Sequence, residues 1–328
     1  MENRMTFHQE EDFRDAILKT AEHFKIRDLL IEKDYWAMYV LRNLSFSPYK
    51  DQVVFKGGTS LSKAYHCIDR FSEDIDLAIL KDGNINDNQL KKLLKAIEKE
   101  ITVGVVLIDG HPSEEKRGRN RKTFYSYPKV LPDQSFENVK EELQVEINSL
   151  THPIPFQKCT IETYITQFFR EQEFQELIEK HSLQPFELNV LSRERTFFEK
   201  LSSLIRLSYD GNDALKKKIR HFYDLSRLQQ QEDLKENLLT IKSFDLLTSV
   251  IEDDRHNNTF KGEWLQHPLS ASPLFQNLDE NWKELKSTYE KELSDLSFSG
   301  NIPKPDEIRT LFKEIKKFLI EYDEKSSQ

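Results

Sequence analysis

Apolar residues recur every three or four positions through "FRDAILKTAEHF" (13–24) and "RDLLIEKDYWAMYVLRNL" (27–44). That period predicts two early helices, the second with a stripe of Leu29, Leu30, Tyr35 or Trp36, Val40 and Leu41. The rhythm then changes. "QVVFK" (52–56) is short, β-branched and ended by Gly57-Gly58, which predicts a buried strand; "TSLSKAYHCI" (59–68) predicts a helix and "IDLAIL" (75–80) a second strand. A helix is expected over about 86–100, and "ITVGVVLID" (101–109), "KTFYSYP" (122–128) and "ELQVEINSL" (142–150) are further strand candidates. After "KCTIETYI" (158–165) helical spacing dominates, with helices expected at about 168–180, 193–208, 212–230, 232–254 and 304–324. The stretch 257–303, with Asn, Ser, Pro and Trp scattered through it, has no assigned element. A sheet-bearing first part followed by helices is an α+β pattern, and 328 residues make two domains the expectation, divided at 155/156.

Nine glycines and eleven prolines leave little room for flexible linkers. A formal charge of -9 argues against a protein that coats nucleic acid by neutralising phosphates, so a nucleic-acid partner needs a local basic patch. Cys67 and Cys159 make no disulfide framework and have no zinc spacing; they are expected to be small apolar fillers. The amino terminus lacks the order of a signal peptide and no apolar run approaches the roughly 20 residues of a membrane span, so a cytoplasmic protein without a membrane partner is expected.

The chemistry concentrates in Val53–Leu80, where Glu73, Asp74 and Asp76 follow the glycine pair closely. Side chains two apart on a strand share a face, so Asp74 and Asp76 point one way while Ile75 and Leu77 reach the core. Two ionised carboxylates about 6 Å apart repel by about 3 kcal/mol at an effective dielectric near 20, a cost that a divalent cation with oxygen ligands at about 2.1 Å converts into a site. At Gly57-Gly58 the missing side chains let backbone N–H groups approach an anion, with the hydroxyls of Thr59, Ser60 and Ser62 as further donors. The combination offers a triphosphate cradle and carboxylates for Mg²⁺, with Mn²⁺ as the alternative ion. Two-metal chemistry asks for a third carboxylate from a neighbouring strand, and Glu146 lies between Val145 and Ile147; the competing reading is an exposed residue on a half-buried strand.

"GGTSLSK" (57–63) followed by "FSEDIDL" (71–77) resembles the AbiEii/AbiGii family of nucleotidyltransferase toxins, which includes the MenT toxins. "IEKDYWAMYVL" (31–41), "RERTFFEKLSSLIR" (193–206) and "RHFYDLSRL" (220–228) resemble the family's early helix and two later motifs. The resemblance implies a DNA polymerase β-like nucleotidyltransferase core with a mixed sheet, and a helical carboxy-terminal domain that completes the active-site cleft. It implies the toxin of a toxin–antitoxin pair, with an NTP substrate, Mg²⁺, and tRNA 3′ ends as acceptors for some members. Carried over residue by residue, Asp74 and Asp76 match the metal pair, Glu146 the carboxylate of the next strand motif, Lys63 the lysine after the glycine turn, and Ser72 a serine beside phosphate. Lys200 and Asp224 match the lysine and aspartate of the later motifs. Read from their neighbours alone, Lys200 is either a phosphate cation or a surface lysine paired with an acid. Asp224 is either a helix ion pair with Arg220 or Arg227, or a site residue that orients Lys200 or accepts a proton.

"KRGRNRKTFYSYP" (116–128) is the one concentrated basic stretch, and Arg117, Arg119, Arg121 and Lys122 beside Phe124, Tyr125 and Tyr127 suit single-stranded RNA. A charged edge strand that resists aggregation is the alternative. The expected function is a metal-dependent nucleotidyltransferase that moves NMP from NTP to an RNA acceptor, most naturally a tRNA 3′ end, and so blocks translation as a toxin. Its expected partner is an antitoxin, a helix-turn-helix protein being one form. The alternatives are nucleotidylylation of a protein hydroxyl and a GTP- or NTP-binding interaction module without turnover.

Overall fold

The computed structural model describes residues 4–80, 85–132, 142–298 and 300–326. The chain folds as two compact units, one of residues 1–66 and 71–191 and the other of 67–70 and 192–328. The first unit is built on an eight-stranded sheet. Its strands are β1 (Val53–Lys56), β2 (Ile75–Ile79), β3 (Val106–Leu107), β4 (Glu115–Arg117), β5 (Asn120–Ser126), β6 (Leu143–Asn148), β7 (Phe156–Ile161) and β8 (Phe186–Leu191). They lie in the order β3-β5-β6-β2-β1-β8-β7, with β4 also on β5. The β1–β8 and β2–β6 pairs are parallel and the rest antiparallel, so the sheet is mixed and the fold α+β.

The helices of this unit are α1 (Phe13–Phe24), α2 (Asp28–Ser45), α3 (Gly57–Lys63), α4 (Asp87–Ile101), α5 (Tyr164–Glu171) and α6 (Gln175–Lys180). Helix α2 is buried almost all round, not along one stripe, because α1, α4, α5 and the strands β6 and β8 all pack on it. A helix in that position must satisfy its charges internally. Ile101, expected to open a strand, closes α4 instead, since Leu90, Leu94, Ile97 and Ile101 form its core side at helical spacing. The sheet also continues past residue 155 into β7 and β8. In β8 Phe186, Leu188 and Val190 alternate inward around exposed Glu187, a period-two signal the helical reading passed over. Strand β7 is a largely exposed edge with no apolar alternation to read.

The second unit is helical: α7 (Arg193–Ser208), α8 (Asn212–Lys216), α9 (Ile219–Gln229), α10 (Glu232–Lys235), α11 (Phe244–His256), α12 (Pro273–Gln276), α13 (Leu278–Leu296) and α14 (Pro305–Ser326). Its core holds Phe197, Phe198 and Phe222, with Phe222 stacked on Phe312 and Phe198 on Phe318. The expected helices 212–230 and 232–254 are each broken, the first at Lys217–Lys218. Helix α13 fills the unassigned stretch through Trp282, Leu285, Tyr289, Leu293 and Leu296. No described helix is long and apolar enough to cross a membrane.

Candidate active site

Strand β1 runs into α3 through Gly57, which adopts φ +82°, a left-handed conformation that a side chain disfavours. A second reason for glycine is space: a Cβ there would meet Asp76 Oδ2 at 2.1 Å. Asp76 is the register partner of Lys56 on β1, so its carboxylate falls directly on the turn. Asp76 on β2 is half-buried between buried Ile75 and Leu77, and Asp74, just before the strand, is half-buried too. On the other side of β2, Glu146 is the parallel register partner of Asp76, half-buried between buried Val145 and Ile147. Register partners on adjacent strands share a face, so Asp76 and Glu146 stand side by side. Asn148 Nδ2 donates to Glu146 Oε1 at 3.2 Å.

Short internal bonds fix this arrangement. The Thr59 hydroxyl donates to the Asp74 carbonyl at 2.6 Å and lies 3.1 Å from the Ser72 hydroxyl, and the Ser60 hydroxyl donates to the Gly57 carbonyl at 2.9 Å. Thr59 and Ser60 are buried, so they brace the turn and do not present their hydrogens to a ligand as the sequence suggested. Helix α2 grips both ends of the segment. Lys33 Nζ pairs with Glu73 at 2.6 Å, one residue before Asp74, and Asp34 pairs with Lys63 Nζ at 2.8 Å, at the end of α3. Asp34 also accepts from the Tyr164 amide at 2.9 Å, and the Lys63 ammonium sits 3.7 Å from the centre of the Tyr164 ring. Burial pushes the Asp34 carboxyl up, against the pull of Lys63. Lys63, expected beside phosphate, is thus turned into the interior. Lys33 and Asp34, two of three adjacent charges on a largely buried helix, were the sequence signal for this clamp, which local reading missed.

The basic stretch is mostly neutralised. Lys116 pairs with Glu114 at 2.6 Å, Arg117 with Glu115 at 3.8 Å and Arg119 with Asp87 at 3.2 Å. Arg121 is buried, its Nε donating to Glu98 on α4 at 2.8 Å, and it occupies the sheet face opposite the carboxylates. Its assignment to an RNA surface is therefore corrected: a guanidinium placed inward by strand alternation takes the buried carboxylate it finds there. Lys122, next along β5, points the other way and is the register partner of Glu146.

The second unit holds the later motifs. Asp224 is fully buried, bonded to Arg70 through Nε at 2.8 Å and Nη2 at 2.7 Å, and to Lys200 Nζ at 2.9 Å. Burial acts to raise its carboxyl, but Arg70 and Lys200 outweigh that and hold it well below the usual carboxylate range. Asp224 therefore pairs with neither of its helix neighbours: Arg220 goes to Glu292 at 2.6 Å and Arg227 to Asp69 at 2.8 Å. Segment 67–70 is tied in further. The Asp69 amide donates to the Tyr223 hydroxyl at 3.0 Å, and Arg70 forms an antiparallel bridge with Ser297 after α13. Arg70, four residues before Asp74, is a residue the sequence reading overlooked.

The profile of the family described as Nucleotidyl transferase AbiEii toxin, Type IV TA system, matches residues 39–313. Among solved structures, MenT4, a nucleotidyltransferase toxin from Mycobacterium tuberculosis H37Rv, is similar at 14% sequence identity and a TM-score of 0.41, over 93% of this chain and 98% of that chain. No curated protein matches the sequence.

Proposed function

The chain belongs to the AbiEii family of nucleotidyltransferase toxins of type IV toxin–antitoxin systems, and from that premise we propose that it transfers NMP from NTP to an RNA 3′ hydroxyl, tRNA being the acceptor class. The observation that supports this reading is the meeting of Asp76, Glu146 and the Gly57 turn on one sheet face. The family implies an NTP substrate and a cognate antitoxin; a helix-turn-helix protein is the form we propose for the latter.

The donor set suits magnesium. Among the described residues no three His, Cys, Asp or Glu side chains close into a ligand cluster. Magnesium on nucleotides is held by one or two carboxylates together with phosphate oxygens, and Asp74 and Asp76 offer that hard-oxygen pair. When bound there, the ion supplies charge neutralisation for the triphosphate and the departing pyrophosphate.

The chain's own groups do the rest. Gly57 and Gly58 present backbone N–H groups to the outer phosphates, with Ser72 beside them. The acceptor oxygen forms a bond to the α-phosphorus while the bond to the β-phosphate oxygen breaks, and the hydroxyl proton passes to Glu146. In the second unit Lys200 keeps the phosphate-cation role that the family resemblance gives it. Asp224 orients Lys200, because a carboxylate already held by two cations is a poor proton acceptor.

Incubating the protein with each α-labelled NTP, magnesium and total cell extract, then separating RNA from protein, tests the reading. Label in RNA is the expected result. Label in protein alone transfers the chemistry to a protein hydroxyl, and saturable NTP binding without labelled product contradicts catalysis.

A further inference from the structure

The sheet register lines up Lys56 on β1, Asp76 on β2, Glu146 on β6 and Lys122 on β5 as one row across adjacent strands. Partners in such a row share a face, with strands about 4.8 Å apart. The row has a direction. The glycine turn continues from β1, so the groups that face a triphosphate stand at the β1 end. Glu146, the proton acceptor, lies beyond Asp76, and Lys122 lies one strand further from the turn. An acceptor whose hydroxyl touches Glu146 therefore brings its next atoms toward β5, within the span of a lysine's four-carbon stem.

Lys122 also differs in ion pairing from the rest of the basic stretch. Lys116, Arg117, Arg119 and Arg121 each sit within ion-pair distance of a carboxylate. Among the described residues no carboxylate lies within 4.0 Å of the Lys122 ammonium, not even that of Glu146 opposite; it stands 5.8 Å from the centre of the Phe124 ring on the same face. A simple cross-strand ion pair is thus not what the lysine makes.

We propose that Lys122 is the acceptor-side cation of the site, pairing with the phosphodiester next to the 3′ hydroxyl that Glu146 deprotonates. The inference rests on the nucleotidyl-transfer reading above and assigns to one residue what the sequence spread over a basic loop. Lysine binds phosphate as a point charge, so the contact is independent of base identity.

The test uses the full chain, the RNA that becomes labelled, and the variants Lys122→Met and Lys122→Arg, with thermal melting as a control of folding. Lys122→Met should raise the KM for RNA about tenfold and flatten the slope of log KM against log salt by about 0.7, the share of one single-strand phosphate. The Kd for NTP should stay within about twofold, and Lys122→Arg should restore most of the acceptor affinity. An unchanged RNA KM and salt slope, or an equal loss of NTP affinity, overturns the assignment while leaving the transfer reading standing. Wild-type protein that labels no RNA overturns both.

Discussion

Asp76 Oδ2 occupies the place from which a side chain on Gly57 would grow, 2.1 Å from that Cβ position. The glycine turn and the Asp76 carboxylate are therefore parts of one construction, and each limits what the other can be.

Gly57→Ala should accordingly fail twice, by displacing Asp76 and by forcing alanine to φ near +82°. The backbone alone costs about 1–3 kcal/mol, and a carboxylate moved by about 1 Å lowers transfer by about 100-fold. Gly118→Ala, whose methyl meets nothing within 4 Å, is the tolerated control. Label transfer and melting temperature are the readouts, and near-wild-type transfer by Gly57→Ala would refute the packing described.

The Lys33–Glu73 pair separates stability from positioning. Lys33→Met removes the ammonium 2.6 Å from buried Glu73 and should destabilise by about 3–5 kcal/mol in urea unfolding. Lys33→Met with Glu73→Leu replaces the pair by apolar groups and should recover most of that loss. Transfer should stay depressed in the double variant, because position 73, next to Asp74, is no longer tied to α2 by an ion pair. Full recovery of both would reduce the pair to a packing element.

Arg121→Met and the double variant Arg117→Ala with Arg119→Ala should behave in opposite ways. The first strands Glu98 in the interior and should lower stability by about 3–5 kcal/mol. The second alters exposed ion pairs and should change it by no more than about 0.5 kcal/mol. Equal melting temperatures for the two would contradict the opposite-face placement.

Asp224 makes a pH prediction whose sign is fixed. Its carboxyl is held low in the folded protein by Arg70 and Lys200 against the upward push of burial. Its stabilisation is therefore complete above the unfolded value of about 3.9 and is lost as pH falls through the folded value. Asp224→Asn should cost about 3–5 kcal/mol near pH 7, and its deficit against wild type should shrink below about pH 4. A deficit that is constant from neutral to strongly acid pH would exclude the ion-pair origin.

Much of this was written in local periodicity. Helix α7 spans the 193–208 that its apolar spacing predicts, and the strand period around Asp76 was readable from Ile75 and Leu77. What escaped was set by partners distant in sequence. Nothing near Lys33 names Glu73, forty positions on, and nothing near Arg121 names Glu98 on α4. Charges in a row on paper look like a patch, but strand alternation sends Arg121 and Lys122 to opposite faces. Helix α13 shows a different loss: its spacing was readable, yet the polar residues before it masked where the period begins.

The most direct measurement is transfer from α-labelled NTP by Asp76→Asn and Asp74→Asn proteins at saturating magnesium, with circular dichroism to confirm folding. Each substitution keeps shape and removes the charge that the proposed magnesium pair requires, so transfer should fall by at least about 1,000-fold while the fold persists. Transfer at wild-type rates from either folded variant would contradict the assignment of this face as the catalytic centre.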